Sequence, residues 1–116
     1  MIERRKFIRL QAPIGVTYKV LKKIKRAKSS QTLIKNIGGG GIRIMTKDDL
    51  KSGDLVELAI EIPHLKEPIR AVGEVVWFAH FRDRDREGRE AGIRFRDIEP
   101  KNLHRVLEFV HTIGIG

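Results

Sequence analysis

Apolar and polar residues alternate with a period of two along most of this chain, which is the pattern of half-buried β-strands. We predict six strands, at residues 14–20, 31–37, 42–46, 55–62, 69–78 and 90–96. In the fifth strand, the face that carries Ile69 and Val75 also carries Trp77. The segment 82–88 alternates in the sign of its charge and indicates an exposed loop.

The period changes after Pro100, where apolar residues recur at helical spacing. Pro100 suits the first turn of a helix and Gly114 suits its end. The apolar positions are Leu103, Val106, Leu107, Val110 and Ile113. We therefore predict a mainly β fold, a six-stranded antiparallel β-barrel followed by one C-terminal α-helix.

The length of 116 residues is that of one domain, which can bury a sizeable core. We divide it into an N-terminal arm (1–13), a barrel (14–98) and a helix (99–114). The chain has no cysteine, which excludes disulfides and fits a reducing compartment. Its apolar runs are shorter than a membrane span and it shows no secretory signal pattern, so we expect a cytoplasmic protein.

The positive charge is concentrated in the first quarter of the chain. Residues 1–28 hold ten Lys or Arg against one acid, Glu3, while residues 29–116 hold fourteen of each sign. The whole formal excess of +9 therefore lies in the N-terminal segment. Such segregation attracts phosphates, nucleic acid or anionic lipid.

The residue types and spacings argue against catalysis and against a metal site. The four histidines lack zinc-ligand spacing, and no serine or threonine stands in a nucleophile elbow. The glycines lack the Lys-Ser/Thr of a phosphate-binding P-loop. We expect a binding protein rather than an enzyme, with no metal and no cofactor.

Two short motifs are candidates for ligand binding. The N-terminal arm carries Arg5 and Arg9, four residues apart, and guanidinium groups pair bidentately with phosphate or with a guanine edge. About thirty residues later, four glycines follow Asn36 and Ile37, ending at Gly41. By itself the glycine run indicates a tight turn between two strands.

Together the two motifs resemble those of the PilZ domain family, whose bacterial members bind the second messenger cyclic di-GMP (c-di-GMP). The family pattern Arg-x-x-x-Arg matches residues 5–9, and Asp/Asn-x-Ser-x-x-Gly matches residues 36–41. Residues 91–95, Ala-Gly-Ile-Arg-Phe, resemble the family's Gly-hydrophobic-x-Phe segment in its sixth strand. The resemblance covers nearly the whole chain and implies a six-stranded barrel with a helix after it.

The resemblance implies a role for each motif residue. Arg5 and Arg9 are expected to hold the phosphates and guanines, Asn36 to bind a guanine edge, and Gly38 to Gly41 to admit the ligand to the main chain. Arg4, just before the first motif arginine, indicates a stacked pair of ligands. Trp77 is either a stacking wall or a core residue.

One position departs from the family pattern, because Gly38 replaces the motif serine and removes a hydroxyl. A neutral hydrogen bond contributes about 0.5 to 1.5 kcal/mol, so its loss alone weakens binding severalfold without abolishing it. The departure also permits an alternative, a degenerate PilZ-like module that binds a protein without any nucleotide.

The expected mechanism is a switch in which a mobile arm wraps onto the barrel around cyclic di-GMP and so signals to a downstream protein. A small basic barrel that binds nucleic acid is a further alternative. However, platforms for single strands display several aromatics, and this chain has only seven.

Overall fold

The computed structural model describes residues 7–21, 29–83 and 86–115. Six strands and one helix follow one another along the chain. They are β1 (Phe7–Leu21), β2 (Ser29–Gly38), β3 (Gly41–Thr46), β4 (Leu55–Ile60), β5 (Ile69–Asp83), β6 (Arg86–Ile98) and α1 (Pro100–Ile115). All strand pairs are antiparallel, and they close into a barrel in the order β1-β2-β3-β6-β5-β4. The predicted fold class is confirmed.

The inward-facing residues of the alternating pattern fill the barrel. Ile37, Ile44, Ile60 and Ile69 are fully buried, and each such side chain contributes about 1.5 to 3 kcal/mol of transfer free energy. Helix α1 adds Val106, which is also fully buried and belongs to the same apolar cluster. The helix therefore shares the core of the barrel.

Strand β1 begins at Phe7, seven residues before the start predicted at Ile14. Residues Phe7 to Arg9 pair with Gly38 to Asn36 of β2, and the register shifts between Arg9 and Ile14. Pro13 lies at that irregularity, where a strand tolerates the missing N–H. The proline therefore does not end the strand, and only residues 1–6 of the predicted arm precede β1.

The predicted loop at residues 82–88 is wrong at most of its positions, since β5 runs to Asp83 and β6 begins at Arg86. Arg82 lies opposite Glu87, and their charged groups are 3.8 Å apart. His80 Nε2 lies 2.7 Å from the same glutamate. Opposite charges on paired strands stabilise a hairpin. The alternating signs in this segment therefore indicate paired strands and not a loop.

A buried polar cluster joins β1 to the segment after β3. The Tyr18 hydroxyl, in a side chain only 2% exposed, lies 2.7 Å from Thr46 Oγ1 and donates to the Asp48 carboxylate. Ser30 Oγ donates to the same carboxylate at 3.2 Å. Burial and the hydrogen bond to Asp48 raise the pKa of Tyr18 above its ordinary value.

Replacing Tyr18 with phenylalanine is expected to lower the free energy of unfolding by about 1 to 2 kcal/mol at pH 7, because Thr46 and Asp48 lose a buried partner. A raised folded-state pKa favours the protonated phenol. The contribution of Tyr18 is therefore fully present below about pH 10 and is lost as the pH rises through the folded value. Urea unfolding of both proteins at pH 7 and pH 11 measures this; an equal difference at both values would contradict it.

Candidate functional site

Backbone pairing aligns five residues from five strands in one row around the barrel. Arg9 of β1 pairs with Asn36 of β2, and Asn36 pairs with Arg43 of β3. Arg43 pairs with Gly92 of β6, and Gly92 pairs with Trp77 of β5. The pairing thus brings the second arginine of the first motif, the asparagine of the second motif and the tryptophan into line.

A β-bulge places Trp77 on the outside of the barrel. Val75 pairs with Ile93 and Trp77 pairs with Gly92, so Val76 is an extra residue in β5. The inward side chain at this point is Val75, which is fully buried, whereas Val76 and Trp77 are 41% and 40% exposed. The prediction that Trp77 shares a face with Val75 is therefore wrong, because the bulge reverses the alternation.

The indole of Trp77 lies against the backbone of β6. A Cβ built on Gly92 would come 2.1 Å from the indole Nε1 and 2.5 Å from Cε2. No side chain fits there, and glycine is what allows the ring to lie close to the strand. Trp77 is thereby held as an exposed wall instead of a loose surface side chain.

Beside this wall lies a groove of about 510 Å³. Its lining joins the glycine turn to the bulge and consists of Asn36, Gly40, Ile42, Arg43, Val76, Trp77, Gly92, Ile93 and Arg94. Within the described part of the chain, two buried polar atoms lack a hydrogen-bond partner, Asn36 Oδ1 and Arg43 Nε, and both belong to this lining. A buried polar atom without a partner costs about 1 to 3 kcal/mol, so both atoms favour an incoming partner.

The outer wall around the groove carries a local excess of positive charge. Glu90 forms an ion pair with Lys35. The Nε atom of Arg43 lies 3.8 Å from Glu90 Oε2. Glu74 is shared in the same way by Arg94 and Arg96. Four bases therefore share two acids, and two of these bases, Arg43 and Arg94, line the groove, where positive charge favours an anion.

The two arginines also lower the pKa of Glu74. A hydrogen bond from Arg96, and to a smaller extent one from Arg94, holds the pKa of Glu74 below its ordinary value. Arg94 thus lines the groove while its acidic neighbour Glu74 lies outside the lining.

The glycine run forms the predicted turn, with β2 ending at Gly38 and β3 beginning at Gly41. The positive φ angles among the described residues occur elsewhere, at Gly53 and His64. Close packing explains Gly41, since a Cβ there would lie 1.9 Å from the Ile93 carbonyl oxygen. A Cβ on Gly39 would likewise lie 2.8 Å from Leu107 Cδ2 of α1. Neighbouring protein atoms thus occupy the space beside these two glycines.

The other predicted site residues are placed as follows. Arg4 and Arg5 lie outside the described residues, and Arg9 is a β1 residue opposite Asn36. Gly38 is buried and pairs with Gly41. A part in ligand binding stays a prediction for each residue named in the two motifs and for Trp77.

Sequence reasoning did not find Arg43 and Arg94 as site residues. Arg43 lies outside the quoted motifs, Arg94 is the variable position of the quoted segment 91–95, and each occupies an outward position of an alternating strand. A signal was available, because Arg43 lies seven residues after Asn36 and an antiparallel hairpin brings such positions together. The pairing of Gly41 with Arg94 depends on β6, far away in sequence.

Other kinds of site find no support in the part of the chain that is described. No cluster of three or more His, Asp or Glu side chains in residues 7–21, 29–83 and 86–115 is arranged to hold a metal ion. Over the same residues, α1 is too short and too polar to cross a membrane.

Solved structures of similar fold include larger proteins. The chain is similar to the Bacillus subtilis inhibitor of motility MotI/DgrA, with 24% identity and a TM-score of 0.72 over 98% of this chain and 52% of that one. It is also similar to the PilZ domain of Escherichia coli YcgR with c-di-GMP, with 11% identity and a TM-score of 0.69 over 95% and 91% of the two chains. A third is Borreliella burgdorferi PlzA in complex with c-di-GMP, with 9% identity and a TM-score of 0.62 over 97% and 52%.

This chain therefore spans about half the length of MotI/DgrA and of PlzA. No curated protein matches it in sequence. The PilZ domain model matches residues 3–111, which include both motifs, every strand and most of α1. The chain belongs to the PilZ domain family.

Proposed function

We propose that this chain is a receptor module for cyclic di-GMP, and that binding changes its N-terminal segment and so signals to a protein partner. The observation that carries the proposal is the row from Arg9 through Asn36 to Trp77, which aligns both motifs with an exposed aromatic wall. The complexes of YcgR and PlzA with c-di-GMP support the choice of ligand.

The ligand offers two phosphates and two guanines, and the site has a matching group for each. Arg5 and Arg9 pair with phosphates and guanine edges through their planar forks. The Oδ1 atom of Asn36, buried without a partner among the described residues, accepts a guanine N–H. The indole of Trp77 stacks on a base, an interaction that contributes about 1 to 3 kcal/mol per base.

The proposed switch follows from where the arginines lie in the chain. Arg9 lies within β1, whereas Arg4 and Arg5 precede it. A ligand that is held by Arg9 and Asn36 and contacts Arg5 draws residues 1–6 towards the groove and neutralises their charge. The surface presented to a partner protein then differs between the free and the bound state. The proposed module is a receptor and not an enzyme.

Calorimetric titration of the intact chain with cyclic di-GMP tests the ligand assignment, with micromolar or tighter affinity as the expected result. An affinity no better than millimolar would rule the proposal out. Trp77 is the single tryptophan of the chain, so its fluorescence reports on the groove alone. We expect emission to change on titration, and Trp77→Ala to weaken binding about tenfold through lost stacking.

Two measurements make the tryptophan result specific. Trp77→Phe keeps an aromatic face and is expected to bind more tightly than Trp77→Ala. Phe81→Ala, on the same strand but outside the lining of the groove, is expected to bind as the parent chain does. Equal affinities for the parent and Trp77→Ala would show that the indole does not contact the ligand.

A further inference from the structure

We propose that Arg94, which belongs to neither family motif, binds a phosphate of the nucleotide whose base stacks on Trp77. This inference rests on the proposed function and assigns a further ligand-binding residue within the same groove. It starts from position, because Arg94 pairs with Gly41, the last residue of the second motif, and lines the groove together with Trp77.

The strand pairing fixes the base of the Arg94 side chain. A Cβ on Gly41 would lie 2.9 Å from the Arg94 Cα, so the two strands approach unusually closely here. The next residue, Phe95, donates its backbone N–H to the Gly40 carbonyl at 2.9 Å. Backbone pairing therefore joins the glycine turn to the Arg94 segment, and Gly40 and Arg94 both line the groove.

The guanidinium of Arg94 is available to an anion. Its side chain is 60% exposed, and Nη2 lies 3.3 Å from Glu74 Oε1, a long contact for a charge-assisted hydrogen bond. Glu74 has a closer partner in Arg96, which donates to the same oxygen atom. An exposed ion pair of this kind is weak, so a phosphate can replace Glu74 as the partner of Arg94.

Arg96 provides a matched control within the same strand. Its side chain is 59% exposed, it also bonds Glu74 Oε1, and its removal changes the net charge by the same amount. The two arginines differ in that Arg94 lines the groove and Arg96 does not. A general effect of surface charge predicts equal losses for the two variants, whereas a direct contact predicts a loss at Arg94 alone.

The test is titration of the full chain with cyclic di-GMP for the parent, Arg94→Gln, Arg96→Gln and Arg94→Lys. We expect Arg94→Gln to bind about tenfold more weakly than the parent, since one charge-assisted contact is lost. Arg96→Gln is expected to stay within about twofold, with thermal midpoints matched among all four proteins. Arg94→Lys keeps the positive charge but not the planar fork, and should recover part of the affinity.

The outcomes separate the two levels of the proposal. A parent chain that does not bind the nucleotide overturns the proposed function, and the role of Arg94 with it. If the parent binds but Arg94→Gln and Arg96→Gln weaken binding equally, the role of Arg94 alone is overturned. If Arg94→Lys binds as weakly as Arg94→Gln, the positive charge at this position does not bind the nucleotide, and the proposed contact is overturned.

Discussion

Replacing both arginines of the N-terminal motif, Arg5→Ala with Arg9→Ala in one chain, is expected to weaken cyclic di-GMP binding by at least about a hundredfold. Under the proposed function each arginine makes one charge-assisted contact with the ligand, which contributes roughly 1.5 to 3 kcal/mol, and about 1.4 kcal/mol corresponds to a factor of ten. We expect at least about tenfold from either substitution alone. Calorimetry of the single and double variants provides the comparison.

The control for the double arginine variant is a second double variant that removes two positive charges elsewhere on the surface. Arg70 and Arg105 are exposed and lie outside the lining of the groove, so Arg70→Ala with Arg105→Ala removes two guanidiniums without touching the site. That variant is expected to bind within about threefold of the parent, because salt screens exposed charges that make no direct contact with the ligand. The thermal midpoint without ligand should be nearly unchanged in both double variants. Unfolding of either motif variant would mean that its arginine is structural.

The second large effect is on stability. Gly41→Ala is expected to lower the free energy of unfolding by about 3 kcal/mol or more, because the new Cβ would lie 1.9 Å from the Ile93 carbonyl oxygen. That atom belongs to the backbone of a paired strand and cannot move away as a side-chain end can. For a domain of this size we expect the thermal midpoint to fall by roughly 10 °C or more.

Gly15 is the matched control for Gly41, since it also lies in a strand and has room. A Cβ on Gly15 would meet Glu61 Oε2 at 3.9 Å, an ordinary contact. Gly15→Ala is expected to change stability by less than about 1 kcal/mol, and the smaller entropy of its unfolded chain favours a gain. If Gly41→Ala loses as little stability as Gly15→Ala is expected to lose, β3 and β6 can move apart at little cost in free energy.

Most of the fold follows from the period of the hydrophobic pattern. Residues such as Val56, Leu58 and Ile60 alternate cleanly, and β4 forms where they do. The ends of strands were harder to predict, because they depend on pairing between distant segments. β1 extends back to Phe7 because β2 offers Gly38 to Asn36 as partners, and this is invisible in the local sequence.

The parts of the site that are close in sequence could be predicted. The parts that depend on pairing between distant strands could not. Asn36 and the glycine turn lie within a few residues of one another, and the turn forms where predicted. The outward position of Trp77 depends on the bulge at Val76, and the bulge depends on how β5 pairs with β6. The position of Arg94 beside the glycine turn depends on the pairing of β6 with β3, which joins residues more than fifty positions apart in sequence.

The bulge at Val76 also bears on how this site can change in evolution. Because Val76 is one extra residue, deleting it would place Trp77 directly after the inward Val75 and still opposite Gly92, so the indole would stay on the outer surface. A single codon deletion would thus remove the bulge, keep the aromatic wall and leave both motifs intact. Within the family, the length of the fifth strand at this point deserves comparison alongside the identity of its residues.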